Sequence, residues 1–325
     1  MKHSSVDRAL TEDGALALEC AAEVWPAIEA WVPRVPPAAP DPSAVRARLV
    51  ARAGTPAFDT PESAPALDLR GVLGWIAPGG DILLRGTEGR VSAVVRPATG
   101  VAEVRLPAGG EEVEGVEIFA ALTLASAFLL GRLRRTLVHA GAVVGHDGRA
   151  WLLAGGTFSG KSTTCVGLIR TGWDWLADDH VVLRRAEGEK GLSVEGWPRR
   201  FNLDRGYAAG ESRGERARVD PAGFGPGRWR RSAPLGGLLF PRVEAETPTS
   251  RAPLHPAGAL ARLLQQSPWL LADAGAAPAV LALLEAAASS PAFELRLGFD
   301  SFVDPFRLVA AILPSPLVLG PLGPA

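Results

Sequence analysis

The chain has 325 residues, of which 47% are hydrophobic and 21% charged, with a formal net charge of −1. That is a globular composition with ample material for a core, enough for two domains or one large one, and it argues against a nucleic-acid partner, which favours a strongly basic balance. Two cysteines, Cys20 and Cys165, without a C-x-x-C pair or a signal-peptide pattern at the start, point to reduced thiols and a cytoplasmic location.

Residues 1–10 are polar and read as a mobile start. Glu12 to Trp31 reads as a helix, with Leu16, Cys20, Val24 and Ile28 at four-residue spacing and Pro26 kinking it. Pro33 to Ser43 is a proline-rich spacer, and Ser43 is placed to cap a short helix to Arg52. Leu67–Leu69, Asp81–Arg85, Val91–Val95 and Val101–Leu106 are short strand candidates punctuated by glycine, which predicts an antiparallel sheet; nothing in it suggests chemistry, and of substrate recognition and scaffolding the second is favoured. Val116 to Arg135 reads as a long helix. Its apolar run, Ile118 to Leu130, is shorter than the roughly 20 residues a membrane span needs and is interrupted by Thr123 and Ser126, so a buried helix is expected and no membrane partner.

Val138–Val144 and Ala150–Ala154 flank His146-Asp147-Gly148-Arg149, a hairpin signal. With Asp147 and Gly148 as the turn, Val144 faces Trp151 and His139 falls opposite Gly156. Gly155-Gly156-Thr157-Phe158-Ser159-Gly160-Lys161-Ser162 then fits G-x-x-x-x-G-K-[ST]. The glycines let backbone N–H groups turn toward phosphate oxygens, Lys161 reaches the β- and γ-phosphates, and Ser162 ligates Mg²⁺. Thr163 opens a helix whose positive end faces the same phosphates. The chain carries only three lysines, at 2, 161 and 190, against 31 arginines, so the Lys at 161 stands out.

The helix stops near Thr171-Gly172, and a strand, Trp173–Ala177, leads to Asp178-Asp179-His180. A strand-helix-strand unit predicts a parallel pair with the loop and both carboxylates at its carboxyl end. Phosphoryl transfer needs a metal on the phosphates and a base on the attacking hydroxyl, and two adjacent carboxylates can supply both. Asp178, with Ser162, is the candidate metal ligand, and His139 is placed to hydrogen-bond one carboxylate.

Arg199 to Arg231 holds nine arginines against four acidic residues and reads as a mobile, substrate-facing segment, in which Arg199 or Arg200 would hold phosphate or an acidic peptide. Arg228-Trp229-Arg230-Arg231 would stack on a base. Leu235–Phe240 and Phe293–Leu297 read as strands, Pro256–Gln266, Ala279–Ala288 and Pro305–Leu313 as helices, and Trp269, Phe293 and Phe299 as core.

His139-Ala140-Gly141, the loop at 155–162 and Ala177-Asp178-Asp179 together resemble the HPr kinase/phosphorylase catalytic domain. The likeness is to its HPr kinase-like members in peptide-modifying gene clusters, including lasso-peptide precursor kinases. It covers about 45 residues, with a weaker extension from Gly196 to Pro241, and breaks off where Glu215-Arg216 follows Glu211-Ser212-Arg213-Gly214. The resemblance implies an α/β P-loop kinase core of the HPr kinase C-terminal-domain type over 116–325. An N-terminal helical and antiparallel β extension would fill 1–115. It implies ATP and Mg²⁺ as cofactors, one of Asp178 and Asp179 as base with His139 beside it, and Lys161 in catalysis. The acceptor it implies is Ser or Thr of a peptide or carrier protein, and a homo-oligomer would fit. Two alternatives stand beside it: a small-metabolite kinase of the same fold, and a nucleotide-binding regulatory subunit with little turnover.

Overall fold

The computed structural model describes residues 5–29, 31–32, 40–54, 58–107, 116–185, 191–197, 201–204 and 216–313. The protein is mixed α/β and divides into two compact units. The first comprises Met1–Val138 with Val182–Lys190 and Ser267–Leu284; the second, His139–Val181 with Gly191–Gln266 and Glu285–Ala325. Arg199, Arg200 and Glu211-Ser212-Arg213-Gly214 lie outside the described residues.

The first unit contains β1 (Ser5–Ala9), β2 (Leu16–Ala21), α1 (Trp25–Ile28), β3 (Ala47–Ala53), β4 (Leu67–Leu69), β5 (Val72–Ile76), β6 (Ile82–Gly86), β7 (Ser92–Arg96), β8 (Val101–Leu106), α2 (Val116–Arg132) and β9 (Thr136–Val138). Eight of these strands form one sheet in the order β1-β2-β3-β8-β7-β6-β5-β4. Strands β4 to β8 are antiparallel, as the glycine-punctuated runs predict, but β2, β3 and β8 are parallel neighbours, so the sheet is mixed. Alternation sets its faces: Leu49 and Ala51 of β3 and Ala102, Val104 and Leu106 of β8 are buried, while Arg48 and Arg52 point to solvent. Helix α2 lies across β3, β6, β7 and β8 and is buried on nearly every side. Its first-turn Glu117, 3% exposed, accepts the backbone N–H groups of Glu88 (2.9 Å) and Arg90 (2.8 Å) and so pins the β6–β7 turn to the helix.

Three expectations for the N-terminal stretch are corrected. Residues 5–9 are a strand, Glu12–Trp31 holds β2 and the single turn α1, and Ser43–Arg52 leads into β3. Four-residue spacing is also a multiple of two, so Leu16, Leu18 and Cys20 line one face of a strand as readily as a helix, and pairing with β1 and β3 decides for the strand. Ser43, read as a helix cap, instead donates its N–H and hydroxyl to Asp41 Oδ1 in a turn.

The second unit contains β10 (Ala140–Val144), β11 (Ala150–Ala154), α3 (Lys161–Arg170), β12 (Asp174–Ala177), β14 (Leu192–Gly196), β15 (Phe201–Asp204), β16 (Arg216–Val219), β17 (Ser232–Val243), β18 (Ser250–Pro253), α4 (Pro256–Gln265), β19 (Ala292–Leu297), α6 (Asp300–Val303) and α7 (Phe306–Ile312). Strand β13 (Val181–Arg185) pairs with β9 in the first unit, and α5 (Ala277–Ala288) begins there. The main run of the sheet is β12-β10-β11-β17-β19. Strand β10 is antiparallel to both β11 and β12, and β11, β17 and β19 are parallel. The strands flanking α3 therefore point the same way but are not neighbours as expected: β10 lies between them. Helix α3 packs on β10, β11 and β12, and α7 covers α3. The core there is Val143, Trp151, Leu153, Val166, Ile169, Trp173 and Leu239.

The hairpin register is shifted by one from the expected two-residue turn. Val143, not Val144, faces Trp151, and the ladder ends at Ala140 opposite Ala154. Gly145 N–H bonds Arg149 O, Gly148 N–H bonds Gly145 O, and Gly148 has φ +75°, which is a type I turn closed by a left-handed glycine. Asp147 Oδ1 accepts the Arg149 N–H and holds this longer turn.

In residues 228–231, Arg228 and Arg230 are exposed and Trp229 and Arg231 are partly buried. Trp229 bridges Trp175 on the outer edge of β12, and Arg230 pairs with Asp174 at 2.6 Å. Phe201–Asp204 and Arg216–Val219, within the stretch read as a loop, form a hairpin. Trp269 is buried as expected, Phe293 is partly buried, and Phe299, read as core, is 64% exposed. Among the described residues no helix is long and apolar enough to cross a membrane.

Candidate active site

Strand direction gathers the motifs. Strands β11 and β12 end where β10 begins, so the phosphate-type loop after β11, His139 before β10 and Asp178-Asp179 after β12 all lie at one end of the second unit's sheet.

The loop leaves β11 at Gly155 and enters α3 at Lys161. Gly160 caps α3 with φ +99°, a conformation that favours glycine, and a Cβ there would press on Leu297 Cδ1 at 2.6 Å. Gly156 has open space around it, and Thr157 and Phe158 are exposed, Phe158 with φ +64°. Lys161 is buried, and its Nζ donates to Gly155 O (2.6 Å) and Gly156 O (3.0 Å). Thr164 Oγ1 donates to Gly160 O at 2.8 Å and ties the loop to the first helical turn, where Ser162 and Thr163 are half-buried.

His139 sits in the break between β9 and β10. Its N–H donates to Gln266 O at 3.0 Å, outside the hairpin ladder. Its ring lies not opposite Gly156, as the two-residue turn predicts, but against Asp179, with Nε2 2.8 Å from Oδ1; Nδ1 is 3.1 Å from Gln266 Oε1. His180 Nδ1 is 3.1 Å from Asp179 Oδ2. Burial acts to raise the Asp179 pKa, but the imidazoles of His180 and His139 outweigh it and hold the carboxyl well below the usual carboxylate range. Asp179 keeps 40% of its side-chain surface open to solvent, whereas Asp178 is 4% exposed.

Gly141 and Cys165 complete the packing. A Cβ on Gly141 would lie 2.9 Å from Asp178 O and 2.9 Å from Cys165 Sγ, so glycine is what lets β10 pass under the carboxylate turn. Cys165 is one helical turn beyond Lys161 and fully buried. Burial pushes its thiol well up, Asp178 adds to that, and Lys161 opposes it, so both charges act on one spot beside α3.

The structure thus brings His139 against Asp179, and packs the Asp178 carbonyl and Cys165 Sγ around Gly141. His180 and Gln266 were missed from sequence. His180 adjoins the acidic pair and was open to suspicion; Gln266 lies 127 residues from His139 and nothing local marks it.

The residues fit a nucleotide phosphate. Ser159 Oγ is buried without a hydrogen-bond partner among the described residues, a donor suited to a phosphate oxygen. Gly156 leaves room for close approach, and the amino end of α3 carries no acidic side chain in its first turn. Among the described residues no cluster of three His, Cys, Asp or Glu forms a metal cage. Mg²⁺ in nucleotide sites takes one or two protein ligands and completes its shell with phosphate oxygens and water, and Ser162 and Asp178 are the residues that would hold it.

No protein-family model matches the chain, and no curated protein does. Among solved structures, the HPr(Ser) kinase/phosphatase from Coxiella burnetii matches with a TM-score of 0.31 and 12% identity, over 55% of this chain and 93% of that one.

Proposed function

We propose that this chain is an ATP- and Mg²⁺-dependent phosphotransferase that phosphorylates the Ser or Thr hydroxyl of a peptide or carrier protein. What carries the reading is the convergence of a strand-loop-helix phosphate cradle, a paired carboxylate turn and a histidine at one end of one sheet. Gly155 to Thr163 embrace the phosphates with backbone N–H groups, and Lys161 exchanges its loop carbonyls for phosphate oxygens. Bound Mg²⁺ neutralises charge on the β- and γ-phosphates.

The carboxylates divide by exposure. Asp178, buried beside α3, takes the metal side with Ser162; Asp179, open to solvent, takes the acceptor side. The acceptor oxygen forms a bond to the γ-phosphorus as the bond from that phosphorus to the β–γ bridging oxygen breaks. ADP leaves, and the hydroxyl proton passes to Asp179. A carboxylate of low pKa accepts that proton late, when the loose transition state has already made the oxygen acidic. His139 holds Asp179 by its Nε2.

The test is transfer of label from γ-labelled ATP with Mg²⁺ to a panel of Ser- and Thr-containing peptides and small hydroxyl compounds. Label in a peptide, lost in Lys161→Ala and Asp179→Asn, is expected. Label only in a small compound would replace the acceptor class, and tight nucleotide binding with no labelled product would turn the reading to a regulatory subunit.

A further inference from the structure

His180 is a buried titratable side chain at the site that the proposed step does not use, and Gln266 grips His139 without a role of its own. Asp179 is bracketed: His139 Nε2 stands on one oxygen at 2.8 Å and His180 Nδ1 on the other at 3.1 Å, with the two rings 5.6 Å apart. A carboxylate turns easily about its last bond, because that torsion is broad and roughly two-fold. One donor leaves it free to swing; two donors on opposite oxygens fix its plane. His180 is suited to the task because it is enclosed: it is 6% exposed, and its backbone carbonyl accepts the Trp197 N–H at 3.2 Å.

Gln266 does for His139 what His180 does for Asp179. It caps α4 and contacts His139 twice, by its carbonyl to the backbone N–H (3.0 Å) and by its side-chain amide to Nδ1 (3.1 Å). To donate to a carboxylate, His139 needs a hydrogen on Nε2. Nδ1 then accepts in the neutral ring and donates in the charged one. An amide can turn to present either its NH₂ or its oxygen, so Gln holds the ring in both cases, where a carboxylate or an ammonium would serve only one.

We infer that His180 and Gln266 are positioning residues: His180 fixes the plane of Asp179 and Gln266 fixes the ring of His139, so that Asp179 meets the acceptor hydroxyl in one orientation. The inference rests on the phosphotransferase reading for its consequence, but its geometry can be read without turnover.

The experiment uses the full chain, labelled with ¹⁵N at histidine, in wild type, His180→Phe, His180→Asn, Gln266→Met and Lys161→Ala. Asn is chosen because its Nδ2 stands near the place of Nδ1. Wild type is expected to show hydrogen-bonded ring N–H protons from His139 Nε2 and His180 Nδ1. His180→Phe loses the second and shifts or broadens the first, and His180→Asn restores the first. In transfer from Mg–ATP to the peptide panel, His180→Phe and Gln266→Met each lower kcat about ten- to a hundredfold with KM for ATP unchanged, and His180→Asn recovers most of the loss.

A folded His180→Phe with full kcat, beside an inactive Lys161→Ala, overturns the inference and leaves the kinase reading standing. If wild type itself transfers nothing, the kinase reading fails and the ring protons decide alone: an unchanged His139 signal in His180→Phe overturns the clamp. Should His180→Phe fail to fold, His180→Ala, which also removes the donor, takes its place against His180→Asn in both readouts.

Discussion

The two units use their polar groups in opposite ways. In the first, β4 to β8 form an antiparallel meander, so successive loops alternate between the two ends of the sheet and no end collects them. Its charges pair across the open face: Arg52 with Glu19, Arg105 with Glu103, Arg96 with Asp81 and Glu103. Such exposed pairs contribute little each. In the second, β11, β12, β17 and β19 all point one way, and their carboxyl ends bring a phosphate-type loop, two carboxylates and a histidine together. The motif residues gather at the end of the sheet to which β11 and β12 both point.

The sharpest way to break this contrast is to disable each unit once. Lys161→Ala is expected to lower phosphate transfer by about a thousandfold while leaving the urea midpoint nearly unchanged. Glu117→Ala should do the reverse. Removing a buried carboxylate that accepts two backbone N–H groups costs about 3 kcal/mol, read from the same urea curves, with kcat per folded molecule unaltered. A Glu117 variant that loses kcat while still folded would sink the division of labour.

Thiol chemistry probes burial in both units. Burial pushes Cys20 up to about 12 and Cys165 well above its ordinary value, so each thiolate is scarce at pH 8, for Cys20 by roughly a thousandfold. Neither should react with a disulfide reagent until the chain unfolds; prompt titration of one thiol would show that its unit opens.

Glycine substitutions sharpen the comparison at smaller scale. Gly141→Ala drives a Cβ against Asp178 O and Cys165 Sγ, which costs about 1–3 kcal/mol and lowers activity together with Tm. Gly79→Ala in the first unit meets nothing within 4 Å and should stay within about 0.5 kcal/mol of wild type. Equal effects at the two positions would remove the case for close packing under the carboxylate turn.

The smallest effect concerns pH. The Arg135 side chain, hydrogen-bonded to Asp13, holds that carboxyl well below the usual 3.8. A lowered folded value means that the pair's stabilisation is complete above about pH 4 and is lost as the pH falls through the folded value. Asp13 is 43% exposed, so the term is under about 1 kcal/mol. Asp13→Asn should flatten the acid limb of stability against pH below 4 and leave it unchanged at pH 7; an unchanged acid limb would show that the pair contributes nothing.

The phosphate-type loop was legible because everything that makes it is local: an apolar strand, a glycine at 160 where the backbone turns left-handed into the helix, and a helix that starts at once. Helix α2 was legible for the same kind of reason, since an apolar run of its length has few other homes. The first fifty residues were misread because four-residue spacing suits a strand as well as a helix, and the neighbours that decide lie far along the chain. His139 was placed near the phosphates by a hairpin register that proved one residue off, and its contact with Asp179 depends on β10 lying between β11 and β12.

What the sequence determined by itself was the cradle and the residue types beside it, because turn chemistry and helix nucleation act over a few residues. What only the tertiary structure decided was the company those residues keep. Asp178 and Asp179, adjacent in sequence, face different surroundings, and Gln266 reaches His139 from the end of α4. Strand order and burial set those meetings, and no short-range rule encodes them.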